Sequence, residues 1–591
     1  MLNMALRLFI LLFVLATLSP ADPPTMFPPV RGTREMVGAA NNFEVEAGFR
    51  LLTAGGNAVD AGVAAALTAA VTEQARFGLG GEMPLIIKMT GQPATIVSGV
   101  GTAPAKATVA FYQARGPESW EDAAKMPPIP GQGIKAAILP GAFDGLMLAL
   151  QTHGTKSFAE VAKPAIEYAE GFPVGEEFSG FVKNFRGLLD LWPASAKFFM
   201  PDGTPPALGS VYRLPDLAKT LRELVAAEKK QRGNRARKIQ AVRDYFYRGP
   251  IGKRIAAFSE ANGGLISAQD LAGFKAEFDA PRSSLFHGYE VVKPGFWTQG
   301  PVMIQALNIL EGYDLKAMGH NSPQYLHTLV EAVKLAFADR DRYYGDPKFS
   351  KIPEETLLSK EYATERRKQI DPAMASMDHR PGTFGKLISL NSMGTASSNV
   401  HDTTCVNVVD HWGNVFSATP SGAWLPSVIA GDTGIPLSTR LQSFVVTPGH
   451  ANQLAPGKRP RVTLSPTMVL KDGKPFLAMS TPGGDNQDQA MLQVLLNIVI
   501  FNMNPQEAVE SPRFQTEHFY SSFANHEFVP GRLNVEGRMA KASIEGLRTL
   551  GHKVNVTTDW SNGSAPTVIK ISNGVLDGAA DPRRARFIFG R

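Results

Sequence analysis

The sequence predicts a mixed α+β protein in which helices alternate with hairpins. Helical periodicity is strongest over residues 322–341, where Ser322 stands at the N-cap, Pro323 in the first turn, and apolar residues recur at helical spacing. Runs of β-branched and apolar residues joined by short polar turns predict antiparallel strand pairs. The strands predicted in this way are residues 406–409, 415–419, 463–470 and 475–480.

The N-terminus predicts an export signal followed by a linker. Arg7 precedes an apolar run, and small residues at positions 19–21 suit cleavage, so residues 1–21 are predicted to be a signal peptide. The proline-rich residues 22–34 are predicted to be a linker. The apolar run is too short to span a bilayer comfortably, and no later stretch suits a span. We expect a periplasmic or secreted protein without a stable membrane span after signal removal, with an uncleaved anchor as the alternative.

Composition indicates a soluble globular protein and disfavours nucleic acid as a partner. Of the 591 residues, 44% are hydrophobic and 19% charged, and the net charge of +6 is a small excess over so long a chain. The one dense basic run, residues 229–238, lacks the aromatic residues that stack on bases, which favours a solvated helix or surface insertion. A single cysteine cannot form an internal disulfide, so folding must depend on the core.

The first elements after the linker predict a short strand and two packed helices. Residues 44–54 have helical spacing and end at a glycine pair, and a second, alanine-rich helix begins near Asn57. The glycine-rich residues 76–82 then precede a strand, which is the wrong order for a nucleotide-binding fingerprint. We interpret them as a tight loop that lets backbone approach the active site. Arg76 in this loop is either a substrate anchor or a surface arginine.

The junction at residues 400–410 is the strongest candidate for chemistry, because small polar residues give way there to a β-branched run. If the chain is cut before Thr403, the new α-amine, with an ordinary pKa of about 7.7–8.0, can act as base for the Thr403 hydroxyl. Two alternatives remain open. Thr403 and Thr404 are ordinary residues for a strand opening, and Cys405 is either a lone thiol nucleophile or a buried, inert cysteine.

A second candidate is the turn of residues 481–485, which is rich in glycine and precedes a helix. Consecutive backbone amides at a helix N-terminus suit a developing oxyanion. A purely structural turn explains the same pattern.

Taken together, the motifs resemble those of gamma-glutamyltransferases, in the same order and over residues 35–581. The motifs are Gly55-Gly56-Asn57-Ala58-Val59-Asp60-Ala61, Ala103-Pro104-Ala105-Lys106-Ala107, Ala338-Asp339-Arg340, Gly345-Asp346-Pro347, Thr403-Thr404, Leu464-Ser465-Pro466-Thr467 and Thr481-Pro482-Gly483-Gly484. Each motif alone is weak, but the set is specific. The resemblance implies an N-terminal nucleophile hydrolase fold, a four-layer αββα sandwich.

The resemblance also implies a maturation step. The precursor would cleave itself between Asp402 and Thr403, giving a large subunit of residues 35–402 and a small subunit of residues 403–591. The two fragments would stay associated as one intertwined heterodimeric unit.

The resemblance further implies the roles of the catalytic residues. Thr403 would be the nucleophile, Ser421 the hydroxyl that orients it, and Gly483 with Gly484 the oxyanion hole. Thr403 would attack an amide carbonyl of a small-molecule or peptide substrate, an amine would leave, and water or a second amine would take the acyl group. No metal or organic cofactor would be required.

The sequence departs from the family pattern where the donor should bind. Val100 stands near the position of an arginine that holds the donor α-carboxylate, and Gln442 is the expected counterpart of an acid that binds the α-amine. Val462 and Thr463 replace paired serines, and Ala423 replaces an asparagine. These changes remove the charge-assisted contacts that would fix a zwitterionic γ-glutamyl head.

Three functions are therefore in competition. We predict an amide hydrolase or acyltransferase whose donor is not a standard γ-glutamyl group, with Arg76 and Arg440 as candidate anchors for an acid elsewhere on the donor. The first alternative is a genuine gamma-glutamyltransferase or glutathione hydrolase. The second is an uncleaved, catalytically inactive binding protein that uses the same pocket.

Overall fold

A computed structural model describes residues 25–384, 390 and 403–591 of the chain. The predicted signal peptide, residues 22–24 of the predicted linker and Asp402 lie outside the described residues. Within the described part of the chain, no helix combines the length and the apolar character that crossing a bilayer requires.

The strands of the described residues form two large sheets and two small ones. In chain order they are β1 Val30–Gly32, β2 Met36–Ala39, β3 Met83–Lys88, β4 Ala94–Gly99, β5 Phe172–Pro173, β6 Val211–Tyr212, β7 Phe278–Asp279, β8 Arg282–Phe286, β9 Tyr289–Lys293, β10 Val406–Val409, β11 Val415–Ala418, β12 Thr467–Lys471, β13 Lys474–Ser480, β14 Phe514–Thr516, β15 Arg532–Glu536, β16 Lys553–Thr557, β17 Thr567–Ser572, β18 Val575–Ala580 and β19 Phe587–Gly590.

The α-helices of the described residues lie mainly before β8 and between β9 and β10. They are α1 Asn42–Thr53, α2 Ala58–Thr72, α3 Val109–Ala114, α4 Ala142–His153, α5 Phe158–Glu170, α6 Glu176–Leu189, α7 Pro193–Phe199, α8 Pro215–Lys230, α9 Arg235–Tyr247, α10 Pro250–Ala261, α11 Ala268–Gly273, α12 Pro301–Leu310, α13 Leu315–Met318, α14 Pro323–Tyr343, α15 Glu354–Leu358, α16 Lys360–Arg367, α17 Gln487–Val499, α18 Pro505–Glu510 and α19 Lys541–Thr549.

The two large sheets pack face to face between layers of helices. The first has the strand order β1-β18-β17-β13-β12-β9-β8, and the second has the order β19-β2-β10-β11-β3-β4-β7. Strands β10 and β11 lie against β13 and β17, with an apolar layer between the sheets that includes Met36, Ile86, Met468 and Ile569. Helices α1, α2 and α4 cover the second sheet, and α12, α17 and α18 cover the first. The predicted α+β sandwich is confirmed.

Both large sheets combine strands from the two sides of the 402/403 junction. In the second sheet, β2 lies between β10 and β19 and pairs antiparallel with both. In the first sheet, β9 pairs with β12 and β1 pairs with β18. The end of the predicted linker therefore belongs to the fold, because Val30–Gly32 supplies backbone hydrogen bonds to a sheet edge.

Candidate active site

Thr403 lies just before β10 and forms an isolated antiparallel bridge with Ser421. The next residue holds this register, because the Thr404 N–H donates to the Pro420 carbonyl over 2.9 Å. Thr403 is 2% exposed, and its Oγ1 lies 3.1 Å from Ser421 Oγ, within hydrogen-bond distance. The strand-forming run after the junction thus fixes the Thr403 hydroxyl against a second hydroxyl.

Ser421 receives hydrogen bonds from two groups that can only donate. Trp424 Nε1 lies 3.1 Å from Ser421 Oγ, and Arg440 Nη2 lies 3.3 Å from it. A serine oxygen has two lone pairs and one hydrogen. Trp424 and Arg440 both donate to Ser421 Oγ, and either Ser421 or Thr403 can be the donor of the hydrogen bond between the two hydroxyls. This arrangement can orient the threonine oxygen and stabilise negative charge that develops on it.

Arg440 and Glu82 form a buried ion pair that is incompletely hydrogen-bonded. Arg440 Nε lies 3.5 Å from Glu82 Oε2, and neither atom has a hydrogen-bond partner among the described residues. Arg440 Nη1 also has none there, although the Trp424 ring centroid lies 4.2 Å from the guanidinium carbon. Burial lowers the pKa of Arg440 and raises the pKa of Glu82, in each case outweighing their mutual attraction. A cation with unused donors therefore lies beside the two hydroxyls.

The turn after β13 presents two backbone N–H groups. Gly483 and Gly484 have φ values of +124° and +54°, a region that favours glycine. Among the described residues their N–H groups donate to no acceptor, whereas Gln299 Nε2 donates to the Gly484 carbonyl over 3.1 Å. Asn407 Nδ2 donates to Ser480 Oγ over 2.9 Å, which joins the start of β10 to the end of β13. The turn and the junction thus lie at the same end of the sandwich, as an oxyanion site requires.

An ion network holds the residue that follows this turn. Asp485 is bound by Arg340 and accepts from the Ser522 N–H at 2.9 Å and hydroxyl at 2.6 Å. Arg340 also donates to Asp341 Oδ1 from Nε at 2.9 Å and from Nη2 at 2.7 Å. Burial opposes ionisation of Asp341, but the Arg340 charge, together with His379 and Arg461, outweighs burial and keeps the pKa of Asp341 well below its usual range. The dense charged run at the end of α14 is therefore structural.

The apolar residues predicted to contact the donor are buried near the sheet interface. Val100 and Val462 belong to one apolar cluster, together with Trp297. Ala423 is fully buried and follows Gly422, where a Cβ atom would meet Glu82 Oε2 at 1.7 Å. The segment after Ser421 therefore packs directly on the Glu82 carboxyl group.

The polar residues predicted to contact the donor have incomplete hydrogen bonding. Gln442 Nε2 donates to the carbonyls of Gly131 at 2.7 Å and Thr439 at 3.2 Å, whereas Gln442 Oε1 is buried and has no hydrogen-bond partner within the described part of the chain. Thr463 Oγ1 is also buried, and no described residue is its hydrogen-bond partner. Buried polar atoms normally find partners, so such atoms are candidates for contact with a substrate or water.

Arg76 is almost fully buried rather than on the surface. Its Nη1 lies 2.9 Å from Glu73 Oε2, and its Nη2 pairs with Glu177. The neighbouring Ala75 carbonyl accepts from the Leu425 N–H at 2.9 Å. Two carboxylates compensate the Arg76 charge, so its role as a substrate anchor stays a prediction.

Cys405 is fully buried, and its environment opposes formation of a thiolate. Burial raises the pKa of Cys405, and Thr567 Oγ1 donates to its sulfur over 3.5 Å. Since the thiolate is the reactive form of cysteine, these observations favour an inert residue over a nucleophile.

Sequence reasoning missed Glu82 and Trp424, both of which contact the residues around Thr403. Glu82 is the last residue of the glycine-rich loop 76–82, which was interpreted as a loop that brings backbone close to the active site. That loop is the sequence signal that could have indicated Glu82. Trp424 follows Ser421 closely, but no local pattern indicated that its ring would lie on a buried arginine.

One group of side chains has the spacing of a metal site. The ligand atoms of His327, Glu331 and His552 lie within 4.8 Å of one another. However, Glu331 already accepts from Lys334 and Arg380, each at 2.7 Å. These cations would repel a divalent ion, so the group is better explained as a polar cluster of the fold.

Comparison with known proteins places this geometry in one family. A gamma-glutamyltranspeptidase family model matches residues 45–590. The glutathione hydrolase proenzyme of Escherichia coli (strain K12) is 32% identical over 96% of this chain and 95% of that protein. The acylase ACY 1 proenzyme of Pseudomonas sp. (strain SE83) is 34% identical over 93% of this chain and 92% of that protein.

A solved structure extends the match to the whole fold. The cephalosporin acylase from Bacillus halodurans superposes with a TM-score of 0.82 at 28% identity, covering 97% of this chain and 99% of that chain. Sequence and structure therefore agree over nearly the full length. The chain belongs to the gamma-glutamyltranspeptidase family, whose members are self-processing N-terminal nucleophile amide hydrolases and acyltransferases.

Proposed function

We propose that Thr403 is the nucleophile of this enzyme and is released by self-cleavage between Asp402 and Thr403. The observation that carries the proposal is the distance of 3.1 Å between Thr403 Oγ1 and Ser421 Oγ, with Ser421 accepting from two further donors. The new α-amine of Thr403 then takes the hydroxyl proton, because its ordinary pKa of about 7.7–8.0 suits a base near neutral pH.

In this mechanism Thr403 Oγ1 attacks the amide carbonyl of the donor. The N–H groups of Gly483 and Gly484 bind the oxyanion, and Ser421 orients the nucleophile. The amine product leaves with a proton from the α-amine, and an ester to Thr403 remains. Water or a second amine then attacks this ester, so the enzyme either hydrolyses or transfers the acyl group.

The two fragments, residues 35–402 and 403–591, remain together in this proposal. Its support is the sheet pairing, because β2 is hydrogen-bonded between β10 and β19, and β9 is paired with β12. Separating the fragments would break both sheets.

For the donor we propose an amide of a dicarboxylic acid, with a free carboxylate and no α-amine. Arg440 supports this choice, since its Nε and Nη1 are buried without hydrogen-bond partners among the described residues. A carboxylate would satisfy these donors, whereas the ammonium of a γ-glutamyl group would be repelled by the same cation. The chain is similar to acylases as well as to glutathione hydrolases, and this similarity is compatible with a donor other than a γ-glutamyl group.

The nucleophile is tested by comparing Thr403→Ala with Cys405→Ser. Thr403→Ala should abolish both chain cleavage and amide hydrolysis, whereas Cys405→Ser should keep most of each. Denaturing electrophoresis, N-terminal sequencing of the small fragment and an anilide assay measure these outcomes. A wild-type protein that stays as one intact band after long incubation would point to an inactive binding protein instead.

The donor is tested with matched anilides that carry glutaryl, γ-glutamyl and neutral butyryl groups. We expect kcat/KM to be highest for the glutaryl compound. Turnover of only the γ-glutamyl compound would establish a glutathione-hydrolase-type enzyme and refute the proposed donor.

A further inference from the structure

The ring of Phe523 lies beside both the glycine turn and the Arg440 guanidinium. A Cβ atom placed on Gly484 would lie 3.0 Å from Phe523 Cε2 and 3.4 Å from Phe523 Cζ, so the edge of the ring covers this glycine. The ring centroid also lies 5.8 Å from the Arg440 guanidinium carbon. The ring therefore borders the two groups to which the proposed function assigns the ends of the donor, its acyl carbonyl and its free carboxylate.

A second aromatic ring extends this apolar wall. The ring centroids of Trp424 and Phe523 lie 5.7 Å apart with an interplanar angle of 78°, an edge-to-face arrangement. Trp424 also covers Arg440 and donates to Ser421 Oγ, so the two rings together reach from the hydroxyl pair to the glycine turn. Trp424 is buried, whereas the Phe523 side chain is partly exposed and can contact a bound acyl chain.

The loop that carries Phe523 is fixed on both sides of the ring. The preceding residue, Ser522, donates to Asp485 from its N–H at 2.9 Å and from its hydroxyl at 2.6 Å. After the ring, the His526 N–H donates to the Phe523 carbonyl over 3.0 Å and closes a turn. Asp485 follows the glycine turn directly, so the same carboxylate ties the aromatic loop to the oxyanion site. The ring is therefore preorganised beside the reacting carbonyl.

We propose that Phe523 determines the length and branching of the acyl chain that the Thr403 site accepts, and that it favours a short, unbranched chain. This inference rests on the proposed function, in which the Gly484 N–H binds the carbonyl oxygen and Arg440 binds the distal carboxylate. With both ends of the donor fixed, the methylene groups between them must pass along the Phe523 ring.

The ring would act on this chain by contact and by exclusion. A chain that just reaches Arg440 makes van der Waals contact with the ring along its length. An additional methylene group, or a branch on the chain, would have to occupy the volume of the ring. One methylene group in an apolar site typically changes kcat/KM by about 10- to 200-fold, so the selectivity should be measurable.

A series of acyl anilides tests the proposal on the processed protein. Succinyl, glutaryl, adipyl and β,β-dimethylglutaryl anilides share the terminal carboxylate and differ only in chain length or branching. In wild type, we expect kcat/KM for the glutaryl compound to exceed the values for the adipyl and dimethylglutaryl compounds by about tenfold or more. Phe523→Ala should reduce both ratios by about tenfold or more, because the space left by the ring accommodates the larger groups. Wild-type ratios in Phe523→Ala would refute the proposal.

Two further variants serve as controls. Phe523→Leu keeps an apolar side chain, so it remains informative if Phe523→Ala does not fold, and it should change the ratios in the same direction by a smaller factor. Phe587→Ala removes the same ring from an exposed position on β19 and should leave all ratios unchanged. If Phe523→Leu lowers kcat/KM by one common factor for all four anilides, the ring only supports Trp424 and Arg440, and the proposal is refuted.

The wild-type protein separates a failure of this inference from a failure of the proposed function. If it turns over no acyl anilide, the proposed function fails and the role of Phe523 fails with it. If it turns over only the γ-glutamyl anilide, the proposed donor fails, and the chain-length test is made with β-aspartyl, γ-glutamyl and δ-(α-aminoadipyl) anilides. A ratio of γ-glutamyl to aminoadipyl turnover that falls in Phe523→Ala would then still support the role of Phe523, and an unchanged ratio would refute it.

Discussion

Arg340 and Arg440 are both completely buried, but the protein satisfies their hydrogen-bonding groups to different extents. Arg340 donates to Asp341, Asp485 and the Tyr520 carbonyl, and the two carboxylates outweigh burial and raise its pKa. Among the described residues, the Arg440 guanidinium donates one hydrogen bond, of 3.3 Å to Ser421 Oγ, and its carboxyl neighbour Glu82 lies 3.5 Å away; burial lowers the pKa of Arg440.

The difference separates a structural cation from one that is suited to a ligand. Two carboxylates, a carbonyl, Gln299 and Ser522 accept from the Arg340 guanidinium, so few of its donors remain for a substrate. Arg440 is covered by an aromatic ring and keeps unused donors beside the Thr403–Ser421 pair. Burial of a charge without full compensation is costly, and functional sites are where proteins commonly tolerate that cost.

The largest effect should come from Arg340→Met. Asp341 and Asp485 would be left as buried charges without their main partner, which typically costs about 3–5 kcal/mol of folding free energy. Urea unfolding in the Thr403→Ala background measures this effect on a chain that should remain covalently intact. The matched control is Arg548→Met, which removes an exposed arginine with a surface partner and should change stability by less than about 0.5 kcal/mol. If Arg340→Met and Arg548→Met are equally stable, Arg340 is not a structural cation, and the proposed difference between Arg340 and Arg440 is refuted.

Arg440→Met should act mainly on catalysis. We expect kcat/KM for the glutaryl anilide to fall roughly 10- to 100-fold, the equivalent of about 1.5–3 kcal/mol for hydrogen bonds to a charged group. The butyryl anilide lacks the carboxylate, so its kcat/KM should change by less than about threefold. Arg440→Lys should recover only part of the loss, because lysine cannot form the planar bidentate contact. Equal losses for both anilides would assign Arg440 to orientation of Ser421 rather than to donor binding.

Local elements of the fold could be predicted from the sequence because their signals are local. Helix α14 begins where the Ser322–Pro323 pattern indicated, and Ser322 Oγ accepts from the Tyr325 N–H over 3.2 Å. Helix α2 begins after Asn57 with a complete capping box. The order of strands in the two sheets could not be predicted locally, since β2 pairs with β10 and β19, which lie far along the chain.

The candidate site was predictable only in part for the same reason. The junction and the glycine turn have local signatures, so Thr403, Gly483 and Gly484 were named from sequence motifs and resemblance. The Glu82–Arg440 pair depends on two segments that are distant in sequence and meet only in the folded chain. Only the structure separates Arg340, which is fully paired, from Arg440, which is not.

The smallest effect on folding stability should come from Glu82→Gln. This variant tests whether the charge of Arg440 is compensated by an ionised Glu82. Burial raises the pKa of Glu82 above its ordinary value of 4.5, so the folded protein binds a proton that the unfolded chain has released. Stability should therefore fall as pH rises from 4.5 through the raised pKa, and Glu82→Gln should remove this fall. Over the same range, ionised Glu82 competes for Arg440, so kcat/KM for the glutaryl anilide should decrease in wild type but not in the variant.

We expect the stability change of Glu82→Gln at the acidic end of this range to be within about 1 kcal/mol, because glutamine replaces a carboxyl group that is already neutral there. Glu545→Gln, at an exposed position on α19, serves as the control and should keep the wild-type pH profile. If Glu82→Gln instead destabilises the protein as much as Arg340→Met does, Glu82 is ionised over the whole of this pH range. Arg440 would then be a paired structural cation like Arg340, and the carboxylate specificity proposed for the donor would lose its basis.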